Sequence, residues 1–430
     1  MKAYPPYQIT HIQLNEQQLP PQPHDKHTGN YIVLWWKDIA LGHLYLDPGT
    51  RLTDEEFYTK LIDTIQPALQ YYTKAVPEGD GHWQQLLITG PFEQFVMHME
   101  RVFSSWTVKE IPEKVPVSVV ICTRNRASDL HKCLGLLTKL RCLPEEIIVV
   151  DNAPTDESTL DVVKLFADVT YLKEPRAGLD IARNTGAASA KGQIIAFCDD
   201  DVMVHPLWIY RLWQTFQNTS AVAMTGLVLA AELHTEAQMI FEKHWSFNRG
   251  YVDKTYDTDY FNMHLSKGPP VWEIGAGANM AFRKSIFDEV GYFDELLDVG
   301  AAGCSGDSEM WYRILLKGHT ILYNPRAIAF HRHRHELTAL HKQLFNYMRG
   351  FAAAALIQQD QNQRAGYRRR LFLHMPRYYG RLLYKGFPHY TFRCKTLGSE
   401  IRGVLSGMLY YLANRKRRPT LNIQTNVKTA

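Results

Sequence analysis

Two apolar rhythms alternate through the middle of the chain. Continuous runs, Val117-Ser118-Val119-Val120-Ile121-Cys122, Ile147-Ile148-Val149-Val150, Val169-Thr170-Tyr171-Leu172 and Ile194-Ile195-Ala196-Phe197-Cys198, read as strands, the last of them buried on both faces. Residues 129–140, 155–166 and 179–190 between them carry apolar positions at helical spacing. Alternating strand and helix predicts a parallel, doubly wound α/β sheet. Ahead of it, residues 7–14 read as a strand, residues 20–23 as a Pro-rich loop, and residues 31–36 and 39–46 as a hairpin turning at Lys37-Asp38. Thr53-Asp54-Glu55-Glu56 is a helix start, with Thr as cap and acids in the first turn, continuing to about Tyr72. Residues 111–116 form a punctuated linker. From Glu336 the pattern is helical, with Leu340, Leu344, Tyr347, Phe351 and Ala355 on one face. The chain divides accordingly into a small α+β module at 1–110, a central α/β domain at 111–335 and a helical region at 336–430. Residues 233–270 show neither rhythm. They read as a loop-like insertion or lid over a site, or as a surface excursion.

Composition changes this picture in two places. Hydrophobic content of 45% and aromatic content of 12% support a packed core and exclude a disordered chain. The net charge of +4 hides an asymmetry. Residues 331–430 hold 19 Lys and Arg against 3 Asp and Glu, and residues 1–330 hold 29 against 41. The basic tail interleaves Arg with Tyr, Phe and Leu, a composition suited to an anionic membrane face. No stretch of about 18 uncharged apolar residues occurs, so no spanning helix is expected. The first residues lack an apolar signal core, and the six cysteines form no CxxC pair, as in a reduced cytoplasmic protein.

The candidate chemistry sits at the strand ends. Gly192-Gln193-Ile194-Ile195-Ala196-Phe197-Cys198 runs abruptly into Asp199-Asp200-Asp201. Three adjacent carboxylates repel one another, and at the carboxyl end of a buried strand they point to a divalent cation, with a solvated acidic turn as the bland alternative. Thr123 and Asp151 end neighbouring strands and would line the same rim. The turn after the first strand is Thr123-Arg124-Asn125-Arg126, which is neither GxGxxG nor a P-loop. The outline is that of a nucleotide-diphosphate site.

Five ordered motifs across residues 116–331 resemble those of the family 2 inverting glycosyltransferases. They are the strand ending in Thr123-Arg124-Asn125-Arg126, Val149-Val150-Asp151-Asn152, Ala182-Arg183-Asn184-Thr185-Gly186, Asp199-Asp200-Asp201, and Gly306-Asp307-Ser308-Glu309-Met310-Trp311-Tyr312-Arg313. The resemblance implies a GT-A fold with a doubly wound, mostly parallel sheet. It implies Thr123 and Asp151 at the base, Arg183 near the nucleotide, Asp199 at the ribose, Asp201 on Mn²⁺ or Mg²⁺, and Asp307 as general base. Arg124, Asn125 and Asp200 join the nucleotide-sugar set through the same motifs. Trp272-Glu273-Ile274-Gly275-Ala276-Gly277-Ala278-Asn279-Met280 resembles the Gly-rich acceptor-side strand, which adds Gly277 and Asn279 to that set. His331 resembles the strand-end histidine that reaches the diphosphate or metal. In His331-Arg332-His333-Arg334-His335 the interleaved arginines argue against a zinc site, and His333 and His335 read as exposed polar residues. Asp307 also reads as a helix N-cap, a role compatible with that of base.

The resemblance thus implies a metal-dependent transfer of a sugar from a nucleotide-diphospho-sugar, UDP-linked by preference, to a glycan or lipid-linked acceptor. Without a QxxRW motif, single transfers are expected over polymer extrusion. The basic tail would hold the protein peripherally on the inner face of the plasma membrane. A sugar-phosphate nucleotidylyltransferase would need a Gly-rich loop where Thr123–Arg126 stands. A non-enzymatic binding protein holding nucleic acid with its tail would need a recognisable nucleic-acid motif there, and none is present.

Overall fold

The computed structural model describes residues 4–16, 26–74, 83–390 and 392–416; the loop expected at residues 20–23 lies outside them. Three strands open the chain: β1 (Tyr7–Gln13), β2 (Gly29–Trp36) and β3 (Ile39–Leu46). β1 runs parallel to β2, and β3 returns antiparallel to β2. β2 is buried along its whole length, and the strand period of two explains why. Ile32, Leu34 and Trp36 face one way, into a core with Leu61, Ile65 and Leu69 of helix α1 (Asp54–Thr73). Tyr31, Val33 and Trp35 face the other way, into the core of the central sheet. The N-terminal sheet is therefore sandwiched between its own helices and the rest of the protein. A Thr53–Glu56 capping box starts α1. Helices α2 (Trp83–Ile88) and α3 (Phe92–Phe103) complete this part.

The central sheet contains four parallel strands in the order β7 (Ile194–Asp199), β4 (Lys114–Thr123), β5 (Leu143–Asn152) and β6 (Val169–Glu174). Pairing begins at Lys114, so part of the expected linker is already strand. Helices α4 (Ala127–Leu137), α5 (Ser158–Val163) and α6 (Leu179–Ser189) make the crossovers. After β7 come the short β8 (Val202–Val204), α7 (Trp208–Asn218) and β9 (Ala223–Ala230). The other edge continues through β11 (Asn279–Arg283), antiparallel to both β7 and β9, to β12 (Ile321–His331), which is parallel to β9. The sheet is mixed but mostly parallel, the GT-A arrangement. Register sets the site: Cys122 pairs with Asp199, and Thr123 with Asp151, so these strand ends share one rim. β8 pairs antiparallel with the end of β12, His331 opposite Val202, which brings His331 beside Asp201.

Residues 233–270 are not loop-like throughout. They hold α8 (Glu236–Trp245), the edge strand β10 (Lys254–Tyr256) and α9 (Thr258–His264). Met239, Ile240 and Phe241 are fully buried, so α8 is apolar on more than one face and shows no simple period. After α10 (Ile286–Val290) and α11 (Gly306–Leu316), the chain reaches α12 (Leu337–Gln361). Leu340, Leu344, Ala352 and Ala353 of α12 are buried against the rest of the protein, so the tail's first helix is core. Then follow a turn, α13 (Tyr367–Arg369), α14 (Met375–Gly386) and α15 (Leu397–Asn414). No helix among the described residues is long and apolar enough to cross a membrane.

Candidate active site

Asp199, Asp201 and His331 each offer a ligand atom, and these atoms lie within 4.8 Å of one another. Asp199 and Asp201, two apart at the end of β7, come to the same side, and β8 delivers His331 to them. Burial and the neighbouring Asp201 push the Asp199 carboxyl up to about 7. Burial acts on Asp201 too, but His331 and Arg126 hold it below the ordinary carboxylate range. Burial pushes His331 down to about 4, so its ring is neutral and can ligate. Two carboxylates and one neutral imidazole fit a divalent cation such as Mn²⁺.

Hydrogen bonding sets which nitrogen of His331 is free. His333 Nε2 lies 2.9 Å from the Glu242 carboxylate of α8, and its Nδ1 lies 3.0 Å from His331 Nδ1. A carboxylate only accepts, so a neutral His333 carries its proton on Nε2 and accepts at Nδ1. His331 then donates from Nδ1, leaving the Nε2 lone pair toward Asp201, whose Oδ1 is 3.9 Å away. His333 is 3% exposed, which corrects the expectation of an exposed residue; its strand-like alternation continues past the end of β12. His335 is half exposed and paired with Glu232.

Asp200 points elsewhere. Its oxygens accept from Thr123 Oγ1 at 2.7 Å and Arg126 Nη1 at 2.6 Å, and it is 3% exposed. It thereby occupies the Thr123 hydroxyl as well. Burial and Asp201, against the pull of Arg126, place the Asp200 carboxyl at about 6. Arg126 also donates Nη2 to Asp201 Oδ2 at 2.8 Å, so a cation taking that oxygen must displace it. Arg124 and Asn125 are exposed on the rim, and Asn125 Oδ1 accepts from the Thr155 amide. Asp151 is fully buried and accepts the Tyr171 hydroxyl at 2.9 Å.

Asp307 stands in the first turn of α11, after an N-cap at Ser305 in the left-handed region. Its Oδ1 accepts the Ser308 amide, and its Oδ2 accepts the Gly277 amide at 2.9 Å. Burial and Asp298 raise its pKa, while Arg183 opposes them. Arg183, on α6, does not open onto the cleft. It is 4% exposed and donates to Asp180 at 2.9 Å and Asp298 at 2.7 Å. Both Asp199 and Asp307 feel its charge. It is the buried counter-ion of a ring of acids. Asp298, at φ +60°, was not singled out in the sequence because its loop carries no periodic signal.

Gly277 precedes β11 in a turn and is not in a strand. Asn279 is tied into the sheet by its own hydrogen bonds. It is fully buried, donates to the Leu227 and Ala327 carbonyls, and accepts from Trp208 Nε1. All of that comes from strands and a helix distant in sequence.

Residues 118–291, from β4 through the metal cluster to β11 and α10, match glycosyl transferase family 2. This segment belongs to that family. The chain is 26% identical over 223 residues to glycosyltransferase AglE of Haloferax volcanii, covering 50% of this chain and 66% of that protein. It is 29% identical over 228 residues to the pre-mycofactocin glycosyltransferase of Mycobacterium tuberculosis, covering 53% and 44%. Each match thus spans less than two thirds of the relative. Among solved structures, a mannosyltransferase of Pyrobaculum calidifontis in complex with GDP-Man and Mn²⁺ superposes with a TM-score of 0.43 at 15% identity, over 73% of this chain and 91% of that one.

Proposed function

We propose that this glycosyltransferase moves a single hexosyl group from a nucleotide-diphospho-sugar, a UDP-sugar by preference, to an acceptor hydroxyl with inversion at the anomeric carbon. The observation that carries this reading is one buried guanidinium, Arg183, in electrostatic reach of both the Asp199 strand end and Asp307. Cation ligands at the Asp199 strand end and a raised-pKa carboxylate at Asp307 suit a displacement in which charge leaves one side and a proton leaves the other.

A divalent cation on Asp199, Asp201 and His331, Mn²⁺ or Mg²⁺, would neutralise the leaving diphosphate. Asp307 takes the proton of the acceptor hydroxyl, whose oxygen bonds to the anomeric carbon. The bond from that carbon to the diphosphate breaks, and the nucleoside diphosphate departs with the electron pair. The Gly277 amide fixes the orientation of Asp307. Thr123, Arg124, Asn125 and Asp151 flank the donor side. The acceptor we propose is a glycan or lipid-linked saccharide of the cell envelope, met at the cytoplasmic face of the plasma membrane.

The test is a screen of nucleotide-sugars with Mn²⁺, following release of nucleotide, with proton NMR of the product's anomeric centre. Turnover that EDTA abolishes and a product of inverted configuration are expected. Retention of configuration, or full turnover in EDTA, overturns the reading.

A further inference from the structure

The described residues contain seventeen exposed large hydrophobic side chains, and ten of them fall within residues 364–416. The same stretch has twelve Lys or Arg against a single acid, Glu400, which is buried and paired with Arg393. Such a concentration on one part of a surface marks an interaction site.

The two long helices show how the surface is built. Gly403 and Gly407 let α15 lie tightly on α12: a Cβ at either would sit 2.4 Å from the Phe345 carbonyl or 2.2 Å from that of Arg349. That seats one face of α15. Arg402, Leu405, Leu409, Leu412 and Lys416 recur at intervals of three and four, and all are exposed. They form an apolar stripe with a cation at each end. On α14, Arg377, Arg381 and Lys385 alternate with exposed Tyr378 and Tyr384, the latter 85% exposed. Phe387, 74% exposed, follows directly.

We propose that this α14–α15 face docks on an anionic lipid bilayer. Rings seat at headgroup level, a leucine stripe reaches the acyl boundary, and Lys and Arg pair with lipid phosphates. A second copy of the chain fits poorly, because the face would bring cations against cations. Nucleic acid would use the cations and rings but gain nothing from the leucine stripe, since leucine does not stack on bases. α12, beneath α15, is core, so the docking surface begins near Arg364.

Beneath this surface, α12 packs on the loop that precedes Asp307. Gly350 of α12 packs on the Cys304 backbone, Arg349 donates to the Ala301 carbonyl, and Arg370 lies 4.4 Å over the Trp272 ring. An acceptor carried in the same bilayer would arrive at the end where the proton is removed. That last point rests on the glycosyl-transfer reading; the docking itself does not.

The experiment is flotation of the full chain with phosphatidylcholine vesicles, with and without phosphatidylglycerol, at low and high salt. Co-flotation only with the anionic vesicles, weakened by salt, is expected. Leu405→Glu/Leu409→Glu/Leu412→Glu, all at exposed positions, should abolish it with an unchanged melting curve and unchanged donor turnover in solution. Replacing Arg377, Arg381 or Lys385 by Gln should weaken binding about fivefold per cation. Failure of the full chain to float at low salt, or undiminished flotation of the triple variant, overturns the proposal. So does an oligonucleotide that competes off the vesicles and binds the triple variant equally well, which would assign the face to nucleic acid. A dimer that the triple variant loses, in a chain that never floats, would assign it to self-association. Loss of vesicle binding with turnover intact separates this failure from failure of the sugar-transfer reading.

Discussion

His331 Nδ1 and His333 Nδ1 face each other at 3.0 Å, and only one of them can carry the proton. Glu242 decides which, by holding the His333 proton on the far nitrogen. The cation-facing nitrogen of His331 is thus set by a residue of α8, well away from any family motif. Glu242→Gln removes the obligatory acceptor and lets His333 turn or change tautomer. Mn²⁺ affinity, measured by electron paramagnetic resonance in the presence of UDP, should fall about 10–100-fold, the usual cost of losing such a supporting partner. A circular dichroism melt would show whether the fold survives. Unchanged Mn²⁺ affinity in a folded variant would show that His331 needs no such support.

Asp201→Ala tests the cluster directly. Asp201 offers a cation ligand, but Arg126 remains paired with Asp200 when it is gone, so the rim should keep its shape. Metal-dependent nucleotide binding and turnover should both disappear while the melting temperature stays near that of the parent. Full activity of the variant, read by nucleotide release, would remove Asp201 from the metal role.

Much of this rim was legible in the sequence. Continuous apolar runs have no exposed face, so they are interior strands, and the polar residues that end them must meet at one edge. Thr123, Asp151 and Asp199 do so. The partners of Asp200 were not legible, because adjacent residues at a strand end alternate sides, and this one turns into Thr123 and Arg126. Nor were those of Asn279, whose three hydrogen bonds come from elements that no local pattern announces. Residues 233–270 hid α8 because it packs against the N-terminal sheet on one side and α12 on another, and a helix buried on several faces loses its 3.6-residue signal; α9, seven residues with only Phe261 buried, is too short to show one.

Cation binding should depend on pH with a defined sign. Burial and Asp201 raise the Asp199 carboxyl to about 7, so below that pH it is protonated and the cation must displace the proton. Mn²⁺ affinity should therefore rise with pH and level off above 7, falling about tenfold per unit on the acid side. Calorimetric titration at several pH values checks this. An affinity flat between pH 5 and 7, or one that weakens as pH rises through that range, would mean that Asp199 does not ligate.

Gly277→Ala probes the support of the base. A Cβ there would lie 2.8 Å from Arg183 Nη2 and 3.1 Å from Asp307 Oδ2. Either the guanidinium or the carboxylate must shift. Overpacking of this kind costs about 1–3 kcal/mol. We expect turnover to fall more than stability, because the strain falls on the groups that orient Asp307. Equal turnover with a lowered melting temperature would place the strain elsewhere.

Asp307→Asn separates proton removal from architecture. Asparagine keeps one oxygen, which can accept from the Ser308 amide, so the start of α11 should hold, while its amide nitrogen cannot accept from Gly277 and that bond is lost. It cannot take a proton. Turnover should drop on the order of 10²–10⁴-fold, with donor affinity little changed. The pH profile adds a readout that a structural role would not move. Burial and Asp298 raise the Asp307 pKa, so the acid limb of kcat should lie above the ordinary carboxylate range. The active form is the ionised one, so kcat climbs as pH rises through that limb, and Asp307→Asn should lose the limb altogether. Arg183 moderates the shift: neutralised by Arg183→Met, the site should move the limb further up, because the cation that favours the ionised carboxylate is gone. If Asp307→Asn instead loses donor binding while bound donor still turns over, Asp307 belongs to the donor side, and the proton must leave by another group.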